Sequence, residues 1–155
     1  MLRLDPDYAE KAQRISALAK DVTEYLFGLD LPRSDIGNGI KLAYHSACSL
    51  QHGQKIKEPP KQLLANAGFT VLDIPEGHIC CGSAGTYNIL QPEIAGTLKT
   101  RKIANIERVR PDAIAAGNIG CMTQIGSATT IPIAHTVEML DWAYGGKRPK
   151  SLKGL

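Results

Sequence analysis

The four cysteines of this 155-residue chain fall at three places in the sequence. Cys80 and Cys81 are adjacent and precede Gly82, whereas Cys48 and Cys121 stand alone. Adjacent cysteines suit neither an ordinary apolar core nor a disulfide framework, but thiolates are preferred ligands of zinc and of iron–sulfur clusters. The pattern therefore favours a single metal or cluster site. Two other interpretations stay open, an inert set of buried thiols and a Cys80–Cys81 disulfide that acts as a redox switch.

Each cysteine site follows a predicted strand. Cys48 follows the first strand, Cys80 and Cys81 follow the second, and Cys121 follows the third. Parallel strands end at one edge of a sheet, and ligands of such sheets bind beyond that edge. We therefore expect the four sulfurs to meet there, provided that the sheet is parallel.

Helical and strand patterns alternate along the chain. Asp5-Pro6 is typical of a helix start and Gly28 of a helix end, and the later segments alternate between short apolar runs and amphipathic helices. Such alternation predicts an α/β fold, with a mostly parallel four-stranded sheet flanked by helices in a Rossmann-like single domain. The predicted domain is 1–146, and the basic segment 147–155 is predicted to be a flexible tail. The predicted strands are 40–44, 69–74, 112–116 and 131–135, and the predicted helices are 6–27, 59–67, 92–110, 122–126 and 137–144.

Composition indicates an ordinary globular protein and excludes several classes. Hydrophobic residues make up 43% and charged residues 21%, which suits a packed core and argues against disorder. The net charge of +3 and the 5% aromatic content are too low for a nucleic-acid-binding surface. No apolar run is long enough to cross a membrane, and the first residues, MLRLDP, lack the apolar centre of a signal peptide. We therefore expect a cytoplasmic protein, in which thiols stay reduced.

Histidines near the same predicted edge could add a ligand to the sulfurs. His135, at the end of the fourth strand, and His45, at the end of the first, are the two candidates for a further metal ligand. For His45, a hydrogen bond to a cluster sulfur and a purely structural role also stay open. His52 lies farther along its loop, and His78 is expected to be exposed.

Three sequence segments carry a family resemblance. They read YHSACSLQHGQ at 44–54, CCGSAG at 80–85 and GNIGC at 117–121. In these motifs and their spacing the chain resembles the CCG family of cysteine-rich domains, named for the Cys-Cys-Gly motif, and the resemblance extends over residues 5–146. The loops, with IAHTVEMLD at 133–141, are most similar to the C-terminal domain of glycolate oxidase iron–sulfur subunits. Heterodisulfide reductase and lactate-utilisation subunits are related.

The resemblance implies an electron-transfer role in a glycolate, or 2-hydroxy acid, oxidase complex. Cys48, Cys80, Cys81 and Cys121 would hold a [4Fe–4S] cluster, and electrons would pass from flavin-containing glycolate oxidase subunits to a downstream acceptor such as a quinone. The hydride chemistry would belong to the flavin partner, so no catalytic residue is predicted in this chain. The complex would lie in the cytoplasm, with a peripheral association at the inner face of the membrane as a further expectation.

The chain departs from the family pattern in two respects. Gln124 stands where the family has the second cysteine of a Cys-x-x-Cys motif, so the fifth cysteine used by members with a non-cubane cluster is missing. Four thiolates still suffice for a cubane cluster or a tetrahedral zinc ion. The ferredoxin-like segments of longer relatives are missing too, so the chain resembles the C-terminal domain of such a subunit or a split version. A zinc-binding or metal-free scaffold and a thiol–disulfide redox module therefore stay open.

The helix predicted at 92–110 carries several basic residues. A solvated face is the default interpretation, and a docking surface for an acidic partner is the alternative. Ser83 has neither a base partner nor a nucleophile elbow, so a hydrolase is not predicted. The basic residues are Lys99, Arg101, Lys102, Arg108 and Arg110.

Overall fold

Four parallel strands form the centre of the fold, which a computed structural model describes for residues 2–155. The strand order is β2-β1-β3-β4, and every neighbouring pair is parallel. The predicted α/β class and parallel sheet are confirmed. The strands are β1 (Lys41–His45), β2 (Thr70–Leu72), β3 (Ala113–Ala116) and β4 (Ile133–His135).

Helices cover both faces of this sheet. α3 and α7 pack on one face against Leu42 and Tyr44 of β1, while α5 and α6 pack on the other face against Ala43 of β1 and Ile114 of β3. Successive side chains along a strand point to opposite faces of the sheet, so Ala43 faces the side opposite to Leu42 and Tyr44. The helices are α1 (Ala9–Leu18), α2 (Val22–Phe27), α3 (Glu58–Asn66), α4 (Tyr87–Leu90), α5 (Pro92–Arg108), α6 (Ile119–Gly126) and α7 (Thr136–Ala143).

The strand order has a consequence for ligand binding. From β1 the chain reaches β2 on one side, and it then crosses back to β3 on the other side of β1. Such a reversal opens a crevice at the carboxyl ends of the two central strands, here β1 and β3. The segments after these strands include a π-helical segment, Ser49–Gln54, and α6.

The N-terminal helix differs from its prediction. One helix over 6–27 was expected, but the chain forms α1 and α2 with a break between them. Ala19 is extended, with ψ of 119°, and the Asp21 side chain accepts a hydrogen bond of 2.8 Å from the Thr23 N–H, which caps α2. A residue that serves as an N-cap has non-helical backbone angles, so a favourable cap in the middle of an amphipathic pattern divides the helix.

Two further helices differ from the sequence prediction, and β2 is shorter than predicted, at Thr70–Leu72 instead of 69–74. α4 was not predicted, and α6 begins at Ile119 rather than at 122. The earlier start follows from Asn118, whose side-chain oxygen accepts a hydrogen bond of 3.1 Å from the Cys121 N–H and so caps the helix. Cys121 therefore lies in the first turn of a helix and not in a loop.

Part of the C-terminal segment packs against the domain. Leu152 is fully buried and belongs to the same apolar cluster as β1, α3 and α7. The Arg148 guanidinium lies over the Trp142 ring, 4.9 Å from its centroid. These contacts attach the segment predicted as a flexible tail, 147–155, to the sheet, and the division of the chain at residue 146 stays a prediction.

Candidate metal centre at the carboxyl edge of the sheet

All four cysteines line one cleft at the carboxyl ends of the strands. The cleft has a volume of about 360 Å³. Cys81 and Cys121 are buried at its base, Cys48 and Cys80 are half-buried, and all four are free thiols. The structure thus brings together the four sulfurs that the predicted topology placed at one edge. The fold places them at the β1/β3 crevice, where open α/β sheets bind their ligands.

The loop after β2 holds its two cysteines through close backbone contacts. Gly82 has a positive φ of 92°, and a Cβ built on it would lie 2.4 Å from the Ala95 carbonyl oxygen of α5. A side chain therefore does not fit between this loop and the helix. The Gly82 N–H donates a hydrogen bond of 3.3 Å to the Cys80 sulfur, which fixes that sulfur against the turn. Glycine is required here for packing as well as for conformation.

Cys121, at the other side of the cleft, is held in position by the start of helix α6. The first turn of a helix carries a partial positive charge, which would stabilise a cysteine placed there once it loses its proton to bind a metal. Cys121 occupies this position in α6, and the Asn118 side chain orients its backbone. Glycine at 120 lets the helix approach the cysteine loop, since a Cβ there would lie 2.9 Å from the Ser83 hydroxyl oxygen.

His45 completes a compact group with two of the cysteines. A ring nitrogen of His45 and the sulfurs of Cys81 and Cys121 all lie within 4.8 Å of one another. His45 is 1% exposed, and neither of its ring nitrogens has a hydrogen-bond partner among residues 2–155. Buried polar groups are normally paired, so an unpaired imidazole beside two sulfurs fits a ligand or a donor to a bound group.

The protons on the thiols are distributed unevenly. The Cys121 thiol and the nearby His45 lower the pKa of Cys81 to about 4, because they stabilise its thiolate. The same pairing with Cys81, together with burial, raises the pKa of Cys121. Burial and the neighbouring Cys80 raise the pKa of Cys48 to about 11. The site thus favours the thiolate form of Cys81, and Cys48 and Cys121, whose pKa values are raised, must lose their protons when they bind a metal.

Comparison with known proteins shows to which family the chain belongs. The cysteine-rich domain family named CCG matches residues 42–126, which is more than half of the chain and includes all four cysteines. The chain belongs to the CCG family. This CCG domain is 40% identical over 143 residues to the glycolate oxidase iron–sulfur subunit of Escherichia coli (strain K12), a match that covers 92% of the domain's chain. It is 29% identical over 149 residues to lactate utilization protein A of Geobacillus thermodenitrificans (strain NG80-2), covering 91% of the chain.

The relatives are longer than the CCG domain described here. The matches cover 35% of the E. coli subunit and 62% of the Geobacillus protein. The chain therefore spans about a third of one relative and less than two thirds of the other. None of the helices within residues 2–155 is long and apolar enough to cross a membrane.

The other predicted polar residues of the CCG domain lie outside the cysteine group. His135 is the N-cap of α7, where its Nδ1 accepts a hydrogen bond of 3.2 Å from the Val137 N–H, and it lines a small cavity next to the cysteine cleft and not the cleft itself. His52 approaches the His78 carbonyl oxygen at 3.2 Å, and both side chains are exposed. Of the two histidines proposed as further ligands, the structure places only His45 with the sulfurs.

Gln124, which replaces the missing cysteine, makes a structural contact. Its Oε1 accepts a hydrogen bond of 3.3 Å from the Asn88 Nδ2 and so joins α6 to α4. Gln124 is not among the residues that line the cysteine cleft. Gln124 therefore occupies the position of the missing cysteine without adding a ligand to the cleft.

Sequence reasoning missed the buried cation behind the cysteine loop. Lys102 was assigned to a solvated basic face, but it is fully buried. The assignment was wrong because Lys102 lies on the buried face of α5 with Ala95, seven residues before it, and Ile106, four residues after it. That spacing was the available signal, since a lysine within an apolar stripe faces the core unless its long side chain reaches the surface.

The turn before Cys80 depends on an ion pair that is sensitive to acid. Arg101 and Asn105 donate hydrogen bonds of 2.9 Å each to the Glu76 carboxylate. With the Arg101 contact as the largest cause, they lower the pKa of Glu76 from 4.5 to about 2. A lowered pKa in the folded state stabilises the fold above the unfolded value, and this contribution is lost as the pH falls through the folded value.

We therefore expect the substitution Glu76→Gln to reduce stability near neutral pH and to lose its effect in acid. The difference in the free energy of unfolding between wild type and variant should be constant above about pH 4.5 and shrink toward about pH 2. Urea unfolding at a series of pH values measures it. A difference that does not change over this range would mean that the carboxylate charge is not involved.

Proposed function

We propose that this CCG domain binds an iron–sulfur cluster and transfers electrons. The observation that carries the proposal is the convergence of Cys48, Cys80, Cys81 and Cys121 on one cleft of about 360 Å³. A water molecule takes up only about 30 Å³ in the liquid, so the cleft has room for a group of several atoms. Four cysteine thiolates are the usual ligand set of such clusters.

The residues around the cleft fit a bound cluster. His45 offers a buried ring nitrogen that lacks a protein partner, and Gly82 already directs a backbone N–H at a cysteine sulfur. Hydrogen bonds to the sulfurs and low solvent exposure tune the reduction potential of such sites. An iron–sulfur cluster would supply a one-electron carrier, which these side chains cannot provide by themselves.

The apolar surroundings exclude water from the inner half of the site. Cys81 and Cys121 belong to one apolar cluster with Ile103, Ile106 and Ile125. This cluster covers the buried side of the cleft, while the half-buried Cys48 and Cys80 lie toward its open side. An electron carrier needs such an arrangement, because one side must be shielded and the other must be approachable by a partner.

The relatives suggest which complex uses the electrons. The E. coli relative is named as the iron–sulfur subunit of glycolate oxidase and the Geobacillus relative as a lactate utilization protein. We propose that the domain accepts electrons from a flavin-containing subunit that oxidises a 2-hydroxy acid, with glycolate as the first candidate. It would pass them to a downstream acceptor in the cytoplasm or at the inner face of the membrane, and a [4Fe–4S] cluster held by the four cysteines would be its cofactor.

A zinc site is the second candidate function, and one observation favours it. The ligand atoms of His45, Cys81 and Cys121 lie within 4.8 Å of one another, as a mononuclear tetrahedral site requires after small shifts. Such a site would stabilise the fold and carry no electrons. No observation specifically favours a thiol–disulfide role, since Cys81 is fully buried and Cys80 is the half-buried member of the pair that faces the open side of the cleft.

Reversible reduction of the anaerobically reconstituted domain tests the proposed function. We expect a brown protein whose visible absorbance falls on reduction, returns on reoxidation and is accompanied by an electron paramagnetic resonance signal in the reduced state. The zinc form of the same protein is the control, because zinc has no redox chemistry. A reconstituted protein that shows no reversible redox change would contradict electron transfer and leave the zinc function.

A further inference from the structure

The one fully buried lysine among residues 2–155 lies behind the cysteine loop. Lys102 extends from the buried face of α5, and its Nζ donates hydrogen bonds of 3.2 Å to the Glu76 carbonyl oxygen and 3.3 Å to the Gly77 carbonyl oxygen. These two residues form the turn that leads to Cys80. The ammonium group is therefore held by the backbone of the segment that presents the two adjacent cysteines.

Lys102 lacks the counter-ion that a buried cation normally requires. Among residues 2–155, no carboxylate lies within ion-pair distance of its Nζ, and the carboxylate of Glu76 is bound by Arg101 and Asn105 instead. Two carbonyl dipoles offset only part of the cost of burying a full charge. The turn therefore leaves the Lys102 ammonium without a negative partner of its own.

The cysteines are the groups that can supply a negative charge. Burial lowers the pKa of Lys102, and the charges of Cys48, Cys81 and Cys80 are the largest effects that oppose this lowering. Ile103 and Ile106 of the same helix pack in one cluster with Cys81, so α5 lies directly behind the cysteine loop. The lysine and the thiolates thus share a poorly solvated region, in which charges interact more strongly than at the surface.

We propose that Lys102 is a positioning residue of the metal centre: its buried ammonium holds the Glu76–Gly77 turn and balances the negative charge of the cysteine thiolates. The inference rests on the proposed function only in requiring a thiolate site for a metal, whether the metal is an iron–sulfur cluster or a single ion. A positive charge behind the cysteine loop favours the deprotonated, metal-bound form of the ligands. It also raises the reduction potential of a bound cluster, because the added electron is attracted to it.

The geometric and electrostatic roles of Lys102 can be separated, because the turn has other supports. Arg101 and Asn105 hold the Glu76 side chain from the same helix, so the turn is anchored to α5 even when the lysine is neutral. Replacing Lys102 with methionine keeps an unbranched side chain of similar size and removes the charge. Replacing it with arginine keeps the charge and changes the hydrogen-bond geometry.

The test compares Co²⁺ affinity in Lys102→Met, Lys102→Arg and a matched control, Arg108→Met. Arg108 is an exposed cation at the end of α5, so its removal changes the net charge equally without touching the cleft. Cobalt titration of the anaerobic protein, followed by thiolate-to-cobalt absorption, should show affinity weakened about tenfold or more in Lys102→Met. Affinity should be unchanged in Arg108→Met and largely recovered in Lys102→Arg. In cluster-loaded protein, Lys102→Met should have the lower reduction potential.

Equal cobalt affinity in Lys102→Met and Arg108→Met, with equal reduction potentials, would overturn the inference. Cobalt binding needs only the thiolates, so a failure to assemble an iron–sulfur cluster would contradict the proposed function and leave this comparison intact. If Lys102→Met does not fold, as judged by thermal unfolding without metal, Lys102→Gln takes its place, since it retains a donor for the two carbonyls. The cobalt affinity and reduction potential of Lys102→Gln are then compared with those of Arg108→Met, and equal values would overturn the inference.

Discussion

Replacing Cys81 with alanine is expected to abolish metal or cluster binding while the domain remains folded. Cys81 is fully buried at the base of the cleft, and its pKa, lowered to about 4 by the Cys121 thiol, favours the thiolate at neutral pH. Its sulfur also lies with His45 and Cys121 in the most compact part of the site. Loss of a second-sphere group costs a metal site about 10–100-fold in affinity, so loss of this ligand should cost at least about hundredfold.

The metal-free Cys81→Ala variant should lose stability but remain folded. The cavity left by the sulfur costs about 1 kcal/mol, and loss of the contacts that stabilise the Cys81 thiolate adds to this cost near neutral pH. His135→Asn is the matched control, because His135 lies outside the cleft and asparagine also serves as a helix N-cap. Cobalt titration and iron analysis should show normal binding in the control. Normal binding in Cys81→Ala would mean that Cys81 is a core residue and not a ligand.

Replacing Gly82 with alanine is expected to be the most destabilising change in the cysteine loop. The new Cβ would lie 2.4 Å from the Ala95 carbonyl oxygen, and the backbone at this position has φ of 92°, which residues with a side chain rarely adopt. Backbone strain and a clash with a main-chain atom that cannot rotate away together should cost about 3 kcal/mol or more. Because the loop can relieve the clash only by leaving α5, Cys81 should also move away from Cys121.

Gly85→Ala is the matched control for this prediction. Gly85 lies in the same loop with φ of 66°, but a Cβ there would meet no atom within 4 Å. Only the left-handed backbone penalty of about 1 kcal/mol is then expected. Urea unfolding of the metal-free proteins measures both values, and cobalt titration should show reduced affinity for Gly82→Ala alone. Equal losses for the two variants would indicate that close packing against α5 has no special role.

The convergence of the cysteines could be predicted because it depends only on the order of strands and helices along the sequence. Alternating strands and helices force parallel strands, and parallel strands end at one edge, so loops 73 residues apart in sequence, at Cys48 and Cys121, were expected to meet. No side-chain detail is needed for that step. The parallel sheet is present, and the four cysteines line one cleft.

The choice between the two histidines could not be predicted from position alone. His45 and His135 both end a strand at the correct edge. His135 is used by α7, where its side chain caps the helix and the Glu138 carboxylate accepts a hydrogen bond of 2.9 Å from its backbone N–H. His45 ends the central strand β1, beside β3, and its side chain lies with the sulfurs. The difference arises from local capping and strand order, which become visible only in three dimensions.

Burial that depends on tertiary packing was the other limit of sequence reasoning. Lys102 carries a charge, as surface residues usually do, but its position on α5 is that of a core residue. Tertiary packing buries it in the core. The burial of Leu152 likewise depends on a long-range contact that a Gly- and Pro-rich sequence does not indicate. In both cases the packing energy that stabilises the buried side chain comes from neighbours distant in sequence. A local sequence pattern therefore could not distinguish a buried from an exposed position.

Iron and acid-labile sulfide content after anaerobic purification of the chain tests the central claim most directly. We expect iron and sulfide in equal amounts, as in a [4Fe–4S] cluster, and the loss of both in Cys81→Ala. Zinc at one ion per chain without sulfide would contradict the cluster and support the structural site. A protein that contains neither iron nor zinc, even after reconstitution, would contradict a metal centre at Cys48, Cys80, Cys81 and Cys121 altogether.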